Sequence, residues 1–599
     1  MMKKIKNAGF TDLKKILLLI LISSPCFLYA QDAAPGSLLP DIDPQDIEIR
    51  GDFVARFPGI MRQPILGFSP RPRVFQIDPN RMPFIESPEQ VVASLPLSEL
   101  DRPSPPSFSY YRKPEKFSLW STTGIGNYMA PEVDIFLGIP ITHRTKVSGR
   151  VQSVSSGSYL DGTDQTSSFR NLDGGLNLIH YSGKRSRWDL GFTGRSDKNH
   201  LPIGLFLPDW NGLSVIEFLP IKLAPDNNIH SYGSNLGYRF NKNQFSFWDV
   251  GIEATAFGAD VKSFSLDPDG DDRYKVTENR FGGAIRKDIA GGRPGNVFSI
   301  QLGAQYADYD LDGNDDSWYV GNAGLLYSTR IGYRIKSTIG GRVFYSSDVN
   351  SDGKMFIYPE LSVSYELTPE LSIKGDIKGF ANNLGLQGHS KVNRRLFAYS
   401  DPETERGVQV SGLVEYKLYD GLRTQSSISY TKFTRHAYYR LDTSQPGAMS
   451  IVGFPENNLL TYSYLDGADV IKWDASVWYD LLPSVFSAYA GIYAQWHGDK
   501  NGDEIPFREN IGLSAGGTYA FTPRARVHIW SDFTGSRKVG PGRDDVGGYV
   551  LLNAKFDFFA SKEIGAYIKV TNIMDQRYTK WVGYEELPAQ VFGGIMIKL

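Results

Sequence analysis

Residues 549–571 read YVLLNAKFDFFASKEIGAYIKVT, and two β-strands are legible in them. Val550, Leu552, Ala554, Phe556 and Phe558 alternate with Tyr549, Asn553, Lys555 and Asp557. After a polar break, Ile564, Ala566, Ile568 and Val570 alternate with Tyr567, Lys569 and Thr571. A helix gathers its apolar residues every three to four positions. A period of two puts all of them on one face of a strand and the charged ones on the other. A strand with one apolar and one charged face suits a wall between lipid and water.

The same alternation recurs upstream. Leu371, Ile373, Ile377 and Ala381 are separated by Ser372, Lys374, Asp376 and Lys378; Phe298, Ile300, Leu302, Ala304 and Tyr306 by Ser299, Gln301, Gly303 and Gln305. From Phe117 onward about 22 such segments follow one another, each closed by Gly, Asn, Asp or Pro. Their connections are of two kinds. Tight turns fall at 142–145, 182–184, 241–243, 368–370, 419–421, 482–484, 522–524 and 560–562, and longer loops at 200–228, 260–273, 383–403, 436–459 and 497–506. Short turns on one side and long loops on the other predict an outer-membrane barrel with its short side toward the periplasm. Soluble sandwiches, propellers and solenoids also carry many short strands but do not sort their loops this way. The expected fold is all-β: a transmembrane antiparallel β-barrel of about 22 strands over 117–599, with a Pro-rich N-terminal arm.

Composition agrees. Aromatics make up 13% of the chain and there are 61 glycines, a balance that suits strands rather than packed helices. The mean hydropathy of -0.29 is compatible with a membrane barrel, because every second strand residue faces a polar lumen. A net charge of -2 gives no ground for nucleic-acid binding. Residues 1–30 read as a secretory signal, with lysines at 3, 4, 6, 14 and 15, an apolar stretch from Ile16 to Ile22, and Ala30 before Gln31. Cys26, the single cysteine, falls inside it, so no disulfide is expected in the mature chain. Residues 31–116 carry many prolines, among them Pro70, Pro72, Pro103, Pro105 and Pro106, and are expected to be an extended periplasmic or lumen-filling arm.

The C-terminal run Val570-Thr571-Asn572-Ile573-Met574-Asp575-Gln576-Arg577-Tyr578, followed by Gly583, Tyr584, Pro588 and a last strand from Val591 to Leu599, resembles the end of TonB-dependent receptors. That family carries an Asn-Leu-x-Asp-x-x-Tyr element, a loop and a Gly-rich closing strand. The resemblance implies a structural barrel motif at Asn572, Asp575, Tyr578, Gly583, Tyr584 and Leu599, and insertion by the outer-membrane assembly machinery. It also implies a receptor or transport role. Leu599 stands where the family usually ends in Phe. The arm is shorter and richer in Pro than the family's plug domain, so the resemblance does not extend to energy-coupled import by this chain alone.

A barrel of this size needs its lumen filled, by the arm, by inward-folded loops or by a partner protein. The apolar loop 201–225, with Phe206, Trp210 and Phe218, is a candidate lumen or mouth constriction. Acidic outer loops, with Asp348, Asn350 and Asp352 in one and Asp267, Asp269 and Asp271 in another, place alternate oxygen ligands as a calcium loop does. Solvated surface loops give the same composition, and no other cofactor is indicated. Lys391, Arg394 and Arg395 in one long loop read as a solvated basic cluster or as an attraction for an acidic ligand. Gly512, Ser514 and Gly516 spell a hydrolase pattern, but inside a strand, without the strand-turn-helix context that exposes such a serine. His528, with Arg526 and Asp532, reads as a wall residue. The expected protein is a non-enzymatic outer-membrane receptor or transport barrel for an unidentified solute, surrounded by outer-membrane lipid. The alternative is an accessory subunit binding a periplasmic or plug-bearing partner through its arm.

Overall fold

The computed structural model describes residues 118–599 apart from 160–167, 201–225, 244–245, 263–272, 294, 350, 395, 397, 420, 443–458, 483–484, 541–544 and 582–583. The signal segment, the Pro-rich arm and the loop with Phe206, Trp210 and Phe218 therefore lie outside the described residues.

The strands in chain order are β1 Leu119–Gly126, β2 Ala130–Pro140, β3 Thr145–Ser156, β4 Phe169–Tyr181, β5 Ser186–His200, β6 Asp226–Asn243, β7 Ser246–Lys262 and β8 Arg273–Ala290. Then come β9 Val297–Leu311, β10 Asn314–Ile331, β11 Ile335–Asp348, β12 Ser351–Glu366, β13 Leu371–Asn382, β14 Glu405–Tyr419, β15 Leu422–Asp442 and β16 Leu459–Leu482. The chain ends with β17 Phe486–Asp499, β18 Ile511–Thr522, β19 Ala525–Thr534, β20 Tyr549–Phe559, β21 Ile564–Thr571, β22 Thr579–Trp581, β23 Tyr584–Glu585 and β24 Gln590–Lys598. Twenty-two of them form one sheet; β22 and β23 are a separate small hairpin. Each barrel strand pairs antiparallel with the next, β21 with β24, and β24 with β1 through Trp120↔Lys598 to Gly126↔Phe592, which closes the barrel. Closure removes the two edges that an open sheet would expose.

The alternation read from residues 549–571 holds. Phe556, Phe558, Ile564 and Ile568 are exposed on the outside, while Asn553, Asp557 and Tyr567 are buried on the inside. Outward apolar side chains continue around the wall, for instance Ile252, Leu325, Ile339 and Ile357. A contiguous apolar belt of this extent belongs in hydrocarbon rather than water. Aromatic pairs such as Trp188–Tyr238 and Phe298–Tyr327, with ring centroids 4.3 and 4.6 Å apart, sit toward the short-turn end, where interfacial girdles form. Among the described residues no helix is long and apolar enough to cross a membrane; the chain crosses with strands.

All eight expected tight turns fall at one end, between an even-numbered strand and the next, and all five long loops at the other. The sorting has exceptions. At the long-loop end β9 and β10 are joined by Asp312 and Gly313 alone, both with positive φ, the Asp-Gly turn whose twist matches a hairpin. Asp310 accepts a hydrogen bond from Gly313 N at 2.6 Å, which braces the turn. Strand length varies too: β15 and β16 run 21 and 24 residues, about twice the roughly 9–11 residues a tilted strand needs to cross the bilayer, because their outer ends line a packed mouth as well as a membrane wall.

Candidate functional site

The outer third of the lumen departs from the polar pattern. Inward positions near the outer ends of β6 to β10 and β16 are apolar: Ile229, Phe257, Val261, Val276, Tyr309, Trp318, Val320 and Tyr462, all buried. What buries them is the β13–β14 connection, residues 383–404, which folds inward as a strap carrying a single helix, α1 (Gly385–Val392). Leu386 and Leu396 of the strap are fully buried in that core. Each buried aliphatic side chain contributes roughly 1.5–3 kcal/mol, so packing is the main force that docks the strap.

Polar contacts fix its path. At the root, Asp348 on β11 accepts from Thr404 N at 3.0 Å and Thr404 Oγ1 at 2.6 Å, while Asn383 Nδ2 lies 3.5 Å from the same carboxylate, so one side chain holds both ends. At the start of α1, Gln387 N donates to Glu278 Oε2 at 2.9 Å, and Trp318 Nε1 donates to Glu278 Oε1 at 3.2 Å. A carboxylate there meets both unpaired N–H groups and the positive end of the helix dipole. Gly385 makes the approach possible: its φ is +64°, and a Cβ would collide with the Glu278 carboxylate. Arg280 NH2 donates to Gln387 Oε1 at 3.1 Å.

His389, fully buried, stacks on Tyr462 with centroids 3.7 Å apart and planes 4° from parallel. Its Nε2 lies 3.0 Å from the Tyr464 hydroxyl. Burial without a counter-charge pushes its pKa down to about 3, so the ring is neutral. The strap then reaches the opposite side of the barrel. Arg394 pairs with Asp173 of β4 at 2.9 Å and Asp197 of β5 at 3.5 Å. Asn199 donates to Arg394 O at 3.1 Å and Asn227 to Leu396 O at 2.6 Å. Six strands, β7 to β12, lie between the nearest of these anchors on β6 and the strap's root at β13, and eight between β4 and that root, so the segment crosses the mouth. A second cluster adjoins it: Phe507, Val539 and Val546 pack with Leu441 and Leu460, and Trp581 of the β22–β23 hairpin touches both Phe507 and Tyr439 at 5.4 Å.

Beneath the strap the inner wall is charged but self-neutralised. A basic residue two positions before an aspartate recurs along the inward faces: Arg187–Asp189 (2.8 Å), Arg286–Asp288 (2.9 Å), Lys374–Asp376 (2.8 Å), Lys472–Asp474 (3.0 Å) and Lys555–Asp557 (3.0 Å), with a buried Arg195–Asp197 pair above. This agrees with a lumen of mixed sign and gives no single-charge selectivity.

The residues singled out from sequence are placed as follows. Asp348 is engaged by the strap; Asn350, the side chain of Asp352, and Asp267, Asp269 and Asp271 lie outside the described residues. Among the described residues no group of His, Cys, Asp and Glu is arranged to hold a metal ion. Arg394 is ion-paired inside the mouth rather than part of a free basic surface, and Arg395 lies outside the described residues. Ser514 sits in β18 directly opposite Asp532, while both ring nitrogens of His528 are engaged elsewhere, by Thr518 at 2.9 Å and Asp557 at 3.1 Å. The C-terminal motif is a cap on the β21–β24 loop. Asn572, at φ +52°, bonds the backbone of Gln576 in both directions at 2.9 and 3.1 Å, and Asp575 accepts from Ala589 N at 2.8 Å. Tyr578 packs on Tyr549 at 4.4 Å; Gly583 and the Tyr584 side chain lie outside the described residues. Leu599 pairs with Leu119 at the closing seam, its N donating to Leu119 O at 2.9 Å.

Fold and site together define a large outer-membrane β-barrel with a strapped outer mouth. No family model and no curated protein matches the sequence. Solved structures do match in fold. The closed form of the ferric-catecholate import receptor Fiu from E. coli K12 superposes with a TM-score of 0.58 at 11% identity, over 81% of this chain and 82% of that one. The FrpB iron transporter from Neisseria meningitidis gives 0.61 at 10% over 82% of each chain, and the copper transporter OprC 0.60 at 11% over 81% of each. At such identities the likeness is one of fold, and it agrees with the 22-strand barrel.

Proposed function

We infer that this chain is an outer-membrane receptor or transport barrel whose solute passes the outer mouth only when the 383–404 strap leaves its seat. The observation that carries the reading is the crossing itself. A loop pinned by Asp348 at its root and by Asp173, Asp197, Asn199 and Asn227 on the far wall does more than cap neighbouring loops. The fold neighbours support a solute-handling role: their names include an import receptor for ferric catecholates and transporters of iron and copper.

The test is single-channel conductance in planar bilayers. Three forms are compared: the full chain, a form with 385–402 replaced by a short Gly-Ser linker, and a form without the 31–116 arm. Replacing the strap should produce larger or more frequent openings. Unchanged conductance would overturn the reading, and a stoichiometric protein retained through purification would favour the accessory-subunit alternative.

A further inference from the structure

Directly beneath α1, on the β6 to β10 wall, lies a lumenal groove of about 370 Å³ lined by Asn235, Glu253, Gln305, Asn322 and Asn382 over a floor that includes Gly282 and Gly303. This is within the roughly 300–1,000 Å³ range of small-ligand sites. Three of the polar side chains lie flat on the wall, each over a glycine directly across the strand pair: Asn235 over Gly191, Glu253 over Gly282 and Asn322 over Gly303. A Cβ at Gly282 would stand 2.7 Å from the Glu253 side chain, and one at Gly303 2.8 Å from Asn322 Nδ2. Asn235, Glu253, Gly282 and Gln305 also form one continuous cross-strand row, along which Gln305 Nε2 donates to Glu253 Oε1 at 3.1 Å.

We propose that this groove binds a neutral polyhydroxylated ligand of mono- to disaccharide size. The reasoning is chemical. Amides both donate and accept, as a hydroxyl does, and a row of them matches vicinal hydroxyls. The one carboxylate in the lining accepts from a hydroxyl pair but repels an anion, and Arg280, two residues from Gly282 along β8, adds positive charge nearby that disfavours a cation. The glycines let the Glu253 and Asn322 side chains lie flat on the wall, so a ring can rest against their polar faces, and Val320 adds apolar surface beside it. Arg280 also holds Leu384 O and Gln387 of the strap, at 3.4 and 3.1 Å, so the groove lies next to the group that seats α1.

The proposal rests on the solute-passage reading but is tested apart from it. The full-length protein in detergent is titrated calorimetrically with maltose, sucrose and trehalose, and with citrate and spermidine. Saturable binding of at least one disaccharide is expected, with no saturable heat from citrate or spermidine. Gln305→Ala, which only removes atoms, should weaken binding roughly tenfold, the loss typical of one or two neutral hydrogen bonds; Gly303→Leu, which fills the floor, should abolish it. No saturable heat with any disaccharide up to concentrations on the order of 10 mM, the weak end of specific binding, overturns the proposal. So does disaccharide binding indifferent to Gln305→Ala and Gly303→Leu, or tighter binding of citrate or spermidine. These outcomes leave the strap's conductance test untouched, so the two ideas fail separately.

Discussion

Truncating Glu278 to alanine should unseat α1 while leaving the barrel folded. In the docked strap this carboxylate is 1% exposed and accepts from Gln387 N and Trp318 Nε1. Hydrogen bonds to a charged acceptor contribute about 1.5–3 kcal/mol each, and the helix dipole adds up to ~1 kcal/mol. Against this stands the desolvation of the carboxylate, several kcal/mol on docking. In Glu278→Ala the desolvation cost disappears with the charge, but docking now buries two N–H groups without acceptors, at about 1–3 kcal/mol each. The net loss is about 3 kcal/mol, on the order of 100-fold in the docked-to-undocked ratio. Glu278→Gln keeps one accepting oxygen and should lose about tenfold. The assay is hydrogen exchange of peptides covering 384–393 in the detergent-solubilised protein, alongside thermal melting. Unchanged protection of these peptides in Glu278→Ala would refute the anchoring argument. A collapse of the melting temperature with it would place Glu278 in the stability of the barrel rather than of the strap.

Acid should loosen the same strap through His389. Undocked, the ring titrates near about 6.5; docked, it stays neutral down to about 3. The undocked state therefore binds one more proton below about pH 6.5, so docking is at full strength above that value and weakens by up to ~1.4 kcal/mol per unit as pH falls below it. Exchange of 384–393 measured from pH 7 to 5 should show that slope in the native chain and lose it in His389→Phe; a slope that survives the substitution assigns the effect to another group. At the closing seam, Gly594→Val should prevent assembly. A Cβ there would strike Thr123 O and the Tyr567 ring, which lies across β24 and β1 over Gly594 and Gly124. Overpacking of this kind costs about 1–3 kcal/mol or more. Gly593→Ala, with nothing within 4 Å of the added carbon, should assemble normally. Electrophoretic mobility with and without heating separates folded from unfolded barrel and decides both.

Why was the barrel legible and the strap not? Alternation in 549–571 reports which face a residue takes, and facing lipid or water is settled locally, strand by strand. Turn positions are local as well, set by residues such as Thr368 and Thr522, whose hydroxyls bond the turn backbone at 3.1 Å to Leu371 N and 3.0 Å to Ala525 N. The strap depends on contacts between residues far apart in sequence, such as Arg394 with Asp173, and nothing in 383–404 states which wall it will meet. One trace was present: Ile229, Val261, Val276 and Trp318 stand at inward positions where the polar side of the alternation should continue. Apolar residues on a lumen face announce a partner to be buried against, and that signal, read across β6 to β10, predicts an inward-folded segment. Arg394 misleads for a related reason. A basic residue in a long loop looks solvated until its two aspartates are known.

On the solute-passage reading, the division of the lumen bears on how passage would be controlled. Its outer third is packed like the core of a soluble protein, whereas the wall beneath is ringed by paired charges that water can solvate. Displacing the strap exposes Ile229, Phe257, Val276 and Trp318 together, and at roughly 1.5–3 kcal/mol for each large side chain thermal opening is rare. A ligand shifts such an equilibrium only by its difference in affinity for the two states, and moving it from almost closed to almost open requires about 5.5 kcal/mol. Asp348 confines the motion further. Because it binds Thr404 and lies against Asn383, the two ends of the strap stay together, and the mobile part swings about that point instead of unravelling. Farthest along the strap from this staple are the Arg394 pairs with Asp173 and Asp197. Both aspartates belong to the lumen wall, so under the solute-passage reading a polar solute reaching that wall would compete for the bonds that hold the strap shut.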